Sequence, residues 1–416
     1  MSDLAWRLWR RGYLAVPEDR TARGGAPTYV TRLLGRRTVV LSGVPGARLF
    51  YQDELVRRAD AVPPPVGHLL FGRGAVHSTD DTKHARRKAL FVDPLHGPSI
   101  DELAEAAGRR LEQALAGGAG EPVSLHRAAV EAYGVSVLEW AGVPLPPDGP
   151  DRPDGPAVAR DLARIVAGFG GQPVPYARGW AARRRTDAWM RGLVRAERAG
   201  EGVARPDSFL VRVAASDLSD RLAAVELGNV LRPTVAVAWL AVGAASALHH
   251  HPTAADRIRE GDVDLARSLV HEVRRTTPFV PLLAGRARRD FRAPDGVRVG
   301  PDDRLVLDVR GTHLREDVHA NARAFDPERF LGGDPGPFEV LAQGGGDLGG
   351  HRCPGERLTV TLLVHTVDVL ARCGAVPVGD VSVDLRRAPA LPPHGLPVRT
   401  GRIPDPQRGT GGVHRR

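Results

Sequence analysis

The sequence predicts a mainly α protein with a small β region, built as one large domain. Three observations predict it. Apolar residues recur at helical spacing from just after Gly43 to about Arg275. Short β-branched runs lie near both ends, at residues 29–34, 37–42 and 304–308. No Ser/Gly-rich linker or internal repeat divides the 416 residues.

An amphipathic start at 4–13 leads to two strands, 29–34 and 37–42, joined as a hairpin through Gly35-Arg36. Helices are expected at 83–91, 100–116, 124–141, 155–169, 180–199 and 221–249. The last third mixes short strands and loops before a final helical run at 358–370. Residues 401–416 are rich in Gly, Pro and Arg without apolar periodicity. They are expected to form a disordered tail, leaving 1–400 as the domain.

Composition narrows the class. A hydrophobic content of 42% supports a globular core. The net charge of +9 comes almost entirely from dispersed arginines, with no nucleic-acid recognition motif beside them. Runs such as 181–185 read as solvated helix surface. With only Cys353 and Cys373 there is no disulfide framework, which points to a cytoplasmic protein. The start lacks the apolar core of a signal peptide, and the longest apolar stretch, 235–248, is too short to span a bilayer. The triplet His249-His-His251 points three ways from a helix end, so it reads as a cationic C-terminus, not a metal site.

The most informative segment is Gln343-Gly-Gly-Gly-Asp-Leu-Gly-Gly-His-Arg-Cys353-Pro-Gly-Glu. Pro354 suits the first turn of a helix, placing Cys353 at the helix's positive end, where backbone N–H groups stabilise a thiolate. The glycines let a flat partner approach closely. By itself such a cysteine reads as a nucleophile, a metal ligand or core packing.

Gly-His-Arg-Cys-Pro-Gly-Glu resembles the haem-ligand loop of the cytochrome P450 superfamily. Upstream, Glu272-Val-Arg-Arg275 resembles that superfamily's Glu-x-x-Arg helix motif, and Phe325-Asp-Pro-Glu-Arg-Phe330 its meander motif. The resemblance runs over nearly the whole chain. It implies the cytochrome P450 fold and haem b with Cys353 as axial ligand to iron. It implies that Glu272, Arg275 and Arg329 form a buried network fixing the cysteine loop; the plain alternative for Glu272 and Arg275 is an i,i+3 surface pair. His84, Lys88, His351 and Arg352 fall at haem-contacting positions, with surface exposure the alternative for Lys88. Thr312 and His313 match a haem-edge segment.

The second informative segment is Glu226-Leu-Gly-Asn-Val-Leu-Arg232-Pro233-Thr, which resembles the superfamily's central helix over the haem. Arg232-Pro233 stands where oxygen-activating members carry an acid and an alcohol for proton delivery. Proline there removes an N–H and kinks the axis. No acidic residue lies three or four positions from Arg232, and an unpaired cation on a buried helix is costly. Either a distant carboxylate or haem propionate pairs with it, or the substrate brings the anion.

That pattern is similar to the bacterial fatty-acid peroxygenase branch. The segments 70–77 and 84–91, Asn229-Val-Leu-Arg-Pro, the Gln-Gly-Gly-Gly opening and Val166-Ala-Gly-Phe169-Gly resemble the branch as well. The resemblance implies hydrogen peroxide and a fatty acid as co-substrates, no bilayer span and no redox partner protein. The fatty-acid carboxylate, anchored by Arg232, supplies acid–base function for hydroxylation at the α or β carbon, or for decarboxylation to a terminal alkene. His77 falls near the reacting carbon, or else packs at the haem edge; Phe71 and Phe169 line the acyl channel or the core. A conventional monooxygenase fed by ferredoxin and its reductase, and a non-enzymatic haem binder, are the competing readings. Four features depart from the branch: a cysteine loop one residue shorter, Pro63-Pro-Pro65 where basic residues are usual, Arg310 for an aromatic residue and Leu282 for phenylalanine.

Overall fold

The computed structural model describes residues 3–118, 120–145 and 154–401. Apart from Gly401, the tail expected at 401–416 lies outside the described residues. The larger helices are α1 (Leu4–Arg11), α2 (Asp81–His96), α3 (Ser99–Ala116), α4 (Leu125–Trp140), α5 (Gly155–Ala167), α6 (Pro173–Arg198), α7 (Asp220–His250), α8 (Val263–Thr276) and α9 (Glu356–Arg372). The main sheet holds β1 (Tyr29–Leu33), β2 (Arg36–Leu41), β3 (Val56–Arg57), β4 (Leu282–Ala287) and β5 (Arg304–Asp308), in the order β1-β2-β5-β4-β3. This is the mainly helical architecture expected, with its small sheet drawn from both ends of the chain.

β2 pairs in parallel with β5, Val39 opposite Leu305 and Leu41 opposite Leu307, so the two ends of the chain meet inside one sheet. The hairpin turn is Leu34-Gly35, one position earlier than expected, because Leu33 pairs with Arg36. Both turn residues have positive φ, 52° and 72°, as a tight two-residue hairpin requires. Asp3 supports this conformation by accepting the N–H groups of Leu34 and Gly35 at 2.8 and 2.7 Å.

α7 is the axis of the helical part. Ser219 caps it by accepting the Leu222 N–H, and the helix continues through Pro233 to His250. α4, α5, α6 and α9 pack around it, so it is buried on nearly every side. It is longer than the apolar run read from the sequence because Glu226, Asn229 and Arg232 are buried within it despite their polarity. By length and composition it could cross a membrane, yet 83% of its most apolar window is buried in the fold.

Helix ends shift in ways that matter for the site. α5 stops at Ala167, leaving Phe169 in the following turn; α6 starts at Pro173, seven residues before the expected Trp180. α2 runs on past Phe91 to His96 with Pro94 inside it.

Close approach of α4 and α5 depends on Gly134, where a Cβ would lie 2.1 Å from the Ala159 Cβ. Gly134→Ala should cost about 1–3 kcal/mol in urea unfolding through overpacking. Gly192→Ala, on the exposed side of α6 with nothing near its Cβ position, should instead stabilise by up to about 1 kcal/mol.

Candidate active site

The cysteine loop rests on a buried ionic network. Arg275 donates Nε to Glu272 Oε2 (2.7 Å) and Nη2 to Oε1 (2.6 Å), with both side chains fully buried. Arg329 adds a third bond, Nε to Glu272 Oε2 at 3.1 Å. The remaining Arg275 donors reach the carbonyls of His313, Ala322 and Ala324. Glu272 also accepts the Asp326 N–H, so the network binds α8 to the meander segment. A surface i,i+3 pair is therefore the wrong description of Glu272 and Arg275.

Two bridges carry this rigidity to the loop. His313 accepts the Leu341 N–H at Nε2 (2.7 Å) and donates Nδ1–H to the Arg275 carbonyl (2.8 Å). Burial pushes its pKa down to about 3, which keeps the ring neutral for both roles. Thr312 accepts the Gly43 N–H and donates to the Asp308 carbonyl, tying the segment to the sheet side.

Arg274 is the second bridge and was missed in the sequence. It donates Nε to Gln343 Oε1 (2.7 Å), pairs with Glu356 and meets His271. Gln343 opens the loop and its carbonyl accepts the Cys353 N–H at 2.9 Å, while Glu356 begins α9. One buried guanidinium thus clamps the loop on both sides of the cysteine. Its only signal was a second arginine inside the Glu-x-x-Arg motif.

Cys353 lies three residues before α9, and the Gly355 N–H points at its sulfur. Burial nevertheless raises the thiol pKa, outweighing Gly355 and Lys88. The Gly355 N–H and Lys88 both favour the thiolate, as expected of the helix end, while desolvation opposes them. The loop needs glycine at one position in particular: Gly344 has φ +84°, and a Cβ there would sit 2.7 Å from Tyr51 Oη.

Beside the loop, His84 stacks on His351 with ring centroids 4.0 Å apart, and His351 Nε2 lies 3.4 Å from Asp80. Burial pushes His84 down to about 3 and Lys88 down to about 8. Lys88 is buried, so the surface alternative fails. Its Nζ donates to the carbonyls of Gly350 (2.7 Å) and Arg352, which makes it a direct brace of the cysteine loop. Arg352 faces Glu356, with Nε to Oε2 at 2.6 Å, and its charge is neutralised there.

A second group of residues gathers around Arg232. Its guanidinium carbon lies 5.5 Å above the Phe71 ring, and Phe71 stacks on His77 at 4.3 Å and 19°. Arg232 is 4% exposed, Nη1 has no hydrogen-bond partner, and no carboxylate pairs with it among the described residues. Burial, then Arg183, pull its pKa down to about 9. His77 is pushed down by burial and by Arg232, so it is neutral at physiological pH. By surface area the residue is nonetheless exposed, although protein surrounds it closely.

Glu226 holds this group in place and was also missed. Fully buried, it accepts the Val76 N–H (2.9 Å), Asn229 Nδ2 (2.9 Å) and Arg87 Nη1 (3.3 Å). It therefore fixes the segment carrying His77 against α7, one turn and a half before Arg232. The acid closest in sequence is engaged by other donors and leaves Arg232 unpaired. Phe169 meets Phe279 edge-on at 6.3 Å, and Phe279 meets Trp239 at 6.0 Å, forming an aromatic wall. Trp239 lies seven residues after Arg232, on the same face and about 10 Å further along the helix.

These residues fit a thiolate-bound haem. Among the described residues no group of three His, Cys, Asp or Glu could hold a bare metal ion. A lone, half-buried cysteine on a glycine loop suits a metal whose other ligands come with its own macrocycle. Fold and site together define a haem-thiolate protein.

No protein-family model matches the chain. A Mycobacterium tuberculosis protein named cytochrome P450 137 is 26% identical over 342 residues, covering 73% of this chain and 67% of its own. Among solved structures, cytochrome P450SP alpha (CYP152B1) with (R)-ibuprophen is 31% identical, covers 97% of this chain and all of that one, and has a TM-score of 0.89. Cytochrome P450 OleT with arachidonic acid is 29% identical, covers 95% and 96%, and also scores 0.89. P450EX alpha (CYP152N1) with myristic acid is 29% identical and scores 0.87. The chain belongs to the cytochrome P450 superfamily, in the CYP152 branch of fatty-acid peroxygenases. It is accordingly an oxidoreductase with a cysteine-ligated haem b.

Glu272→Gln should leave Arg275 and Arg329 buried without their counter-charge. The expected cost is about 3–5 kcal/mol in chemical unfolding, accompanied by loss of haem on gel filtration.

Proposed function

We propose that the protein uses hydrogen peroxide to oxidise fatty acids at the α or β carbon, with the substrate carboxylate held by Arg232. The observation that carries this is the deep, unpaired guanidinium with a free N–H. A buried cation without an anion is unfavourable, and a carboxylate delivered by the ligand relieves it through charge-assisted bonds. The solved relatives bound to arachidonic and myristic acid support the same substrate class.

Bound to Cys353, haem supplies oxygen-atom transfer from peroxide. The remaining functions fall to side chains and substrate. Arg232 orients the carboxylate, which accepts a proton from hydrogen peroxide and returns it to the departing hydroxyl oxygen, which leaves as water. Phe71 lies beneath the guanidinium and keeps its face dry. Phe169, Phe279 and Trp239 wall the acyl chain off from water. Hydroxylation consumes one acid and one peroxide and yields a hydroxy acid and water. Decarboxylation consumes the same pair and yields an alkene, carbon dioxide and two waters.

Neutral His77, stacked on Phe71, is placed to influence which outcome follows. Arg232-Pro233 leaves no acid–alcohol pair at this point of α7 to relay protons to bound oxygen, which disfavours the reading with ferredoxin and its reductase.

Arg232→Ala should retain haem while losing at least about 100-fold in peroxide-driven fatty-acid turnover, measured by mass spectrometry of products. In the wild type, Arg232 is a cation below its lowered pKa of about 9 and the fatty acid is an anion above about 5. Fatty-acid affinity should therefore form a plateau between these values and fall above about pH 9 in a binding titration. His77→Gln should shift the alkene-to-hydroxy-acid ratio by several-fold; an unchanged ratio would make the ring packing alone.

A further inference from the structure

Four of the large hydrophobic side chains left exposed lie on segments that meet at one face: Trp6 (52%), Trp9 (42%), Leu34 (53%) and Val174 (58%). Asp3 joins the first two segments, because its carboxylate accepts the N–H groups of Ala5, Leu34 and Gly35. The hairpin tip is thereby fixed against the start of α1. Trp9 joins the third, donating Nε1–H to the Gly171 carbonyl at 3.3 Å, just before α6 begins with Pro173 and Val174. Trp6 and Trp9 stack at 5.0 Å, so the two indoles form one apolar plate.

The same face is basic. Arg10, Arg32 and Arg36 are exposed and none forms an ion pair among the described residues. Arg10 lies over the Trp6 ring at 5.5 Å, and Arg32 bonds the Gly35 carbonyl. Neighbouring Arg11 and Arg7 are balanced by Glu18 and Asp19, so the excess charge resides in these three. Indole rings beside unpaired arginines match the headgroup layer of a bilayer, which accommodates flat amphipathic rings and attracts cations.

We propose that this face docks the protein on the surface of an anionic lipid bilayer. Gly171 lies two residues beyond Phe169, so the docked face adjoins the aromatic wall around Phe279 and Trp239. The bilayer would then present acyl substrate at the chamber's own edge; this last point rests on the fatty-acid function, whereas the docking does not. A second copy of the chain is the competing occupant, but three unpaired arginines on each copy would face each other and repel.

The test uses holoenzyme with phosphatidylcholine vesicles, with and without phosphatidylglycerol, at low salt. Sedimentation should recover the protein with the anionic vesicles and leave it free of the neutral ones. Each arginine near such a surface contributes roughly five-fold in affinity, so R10Q/R32Q/R36Q should bind on the order of 100-fold more weakly. Trp6→Ser should weaken binding and remove a blue shift in fluorescence, while turnover of a fatty acid supplied in solution stays unchanged. Equal recovery with both vesicle types would overturn the proposal, as would binding unaffected by the triple substitution. A concentration-dependent dimer abolished by Trp6→Ser would assign the face to a second copy instead. Vesicle binding without any fatty-acid oxidation would leave the docking standing and remove the proposed reaction.

Discussion

Glu272 is the residue on which the site depends. One fully buried carboxylate accepts two bonds from Arg275, one from Arg329 and one from the Asp326 backbone. Through Arg275 the same charge orders the carbonyls of His313, Ala322 and Ala324, and through His313 it reaches Leu341 at the edge of the cysteine loop. A glycine-rich loop has little rigidity of its own, because glycine loses much conformational freedom on folding. The loop is positioned because neighbours with no freedom hold it: this network on one side, Arg274 at both ends and Lys88 on its carbonyls.

α7 carries the opposite arrangement. Over less than two turns it holds a buried anion whose partners are all present, Glu226, and a buried cation whose partner is missing, Arg232. If the purpose were stability, the two would be expected to pair. Instead Glu226 is used to anchor the His77 segment, and Arg232 is left facing Phe71 with a free N–H. A fold can tolerate such a deficit where a ligand completes it.

Much of this was legible because the informative residues lie close together in the chain. The cysteine loop, Glu272 with Arg275, and Arg232-Pro233 are all short patterns whose chemistry is local. The strands were legible too, although not the pairing of β2 with β5, which joins residues more than 260 apart. What escaped was non-local. Glu226 looks like any acid on a helix until Val76 and Arg87 arrive from another part of the chain. Arg274 looks redundant beside Arg275 until Gln343 and Glu356 fold against it. The cysteine was legible only in part: helix-end stabilisation can be read from Pro354 and α9, but desolvation depends on the whole surround. Phe169 was expected on a helix, and its place in a turn is what lets it meet Phe279.

The central claim is that the substrate's own carboxylate completes the site at Arg232. The most direct measurement compares a fatty acid with its methyl ester and its alcohol of equal chain length, using holoenzyme and hydrogen peroxide. The acid should be oxidised at the α or β carbon while the ester and the alcohol, which carry no anion for Arg232, remain unchanged. Equal oxidation of all three, or turnover of the acid only with a reductase and a nicotinamide cofactor, would contradict it.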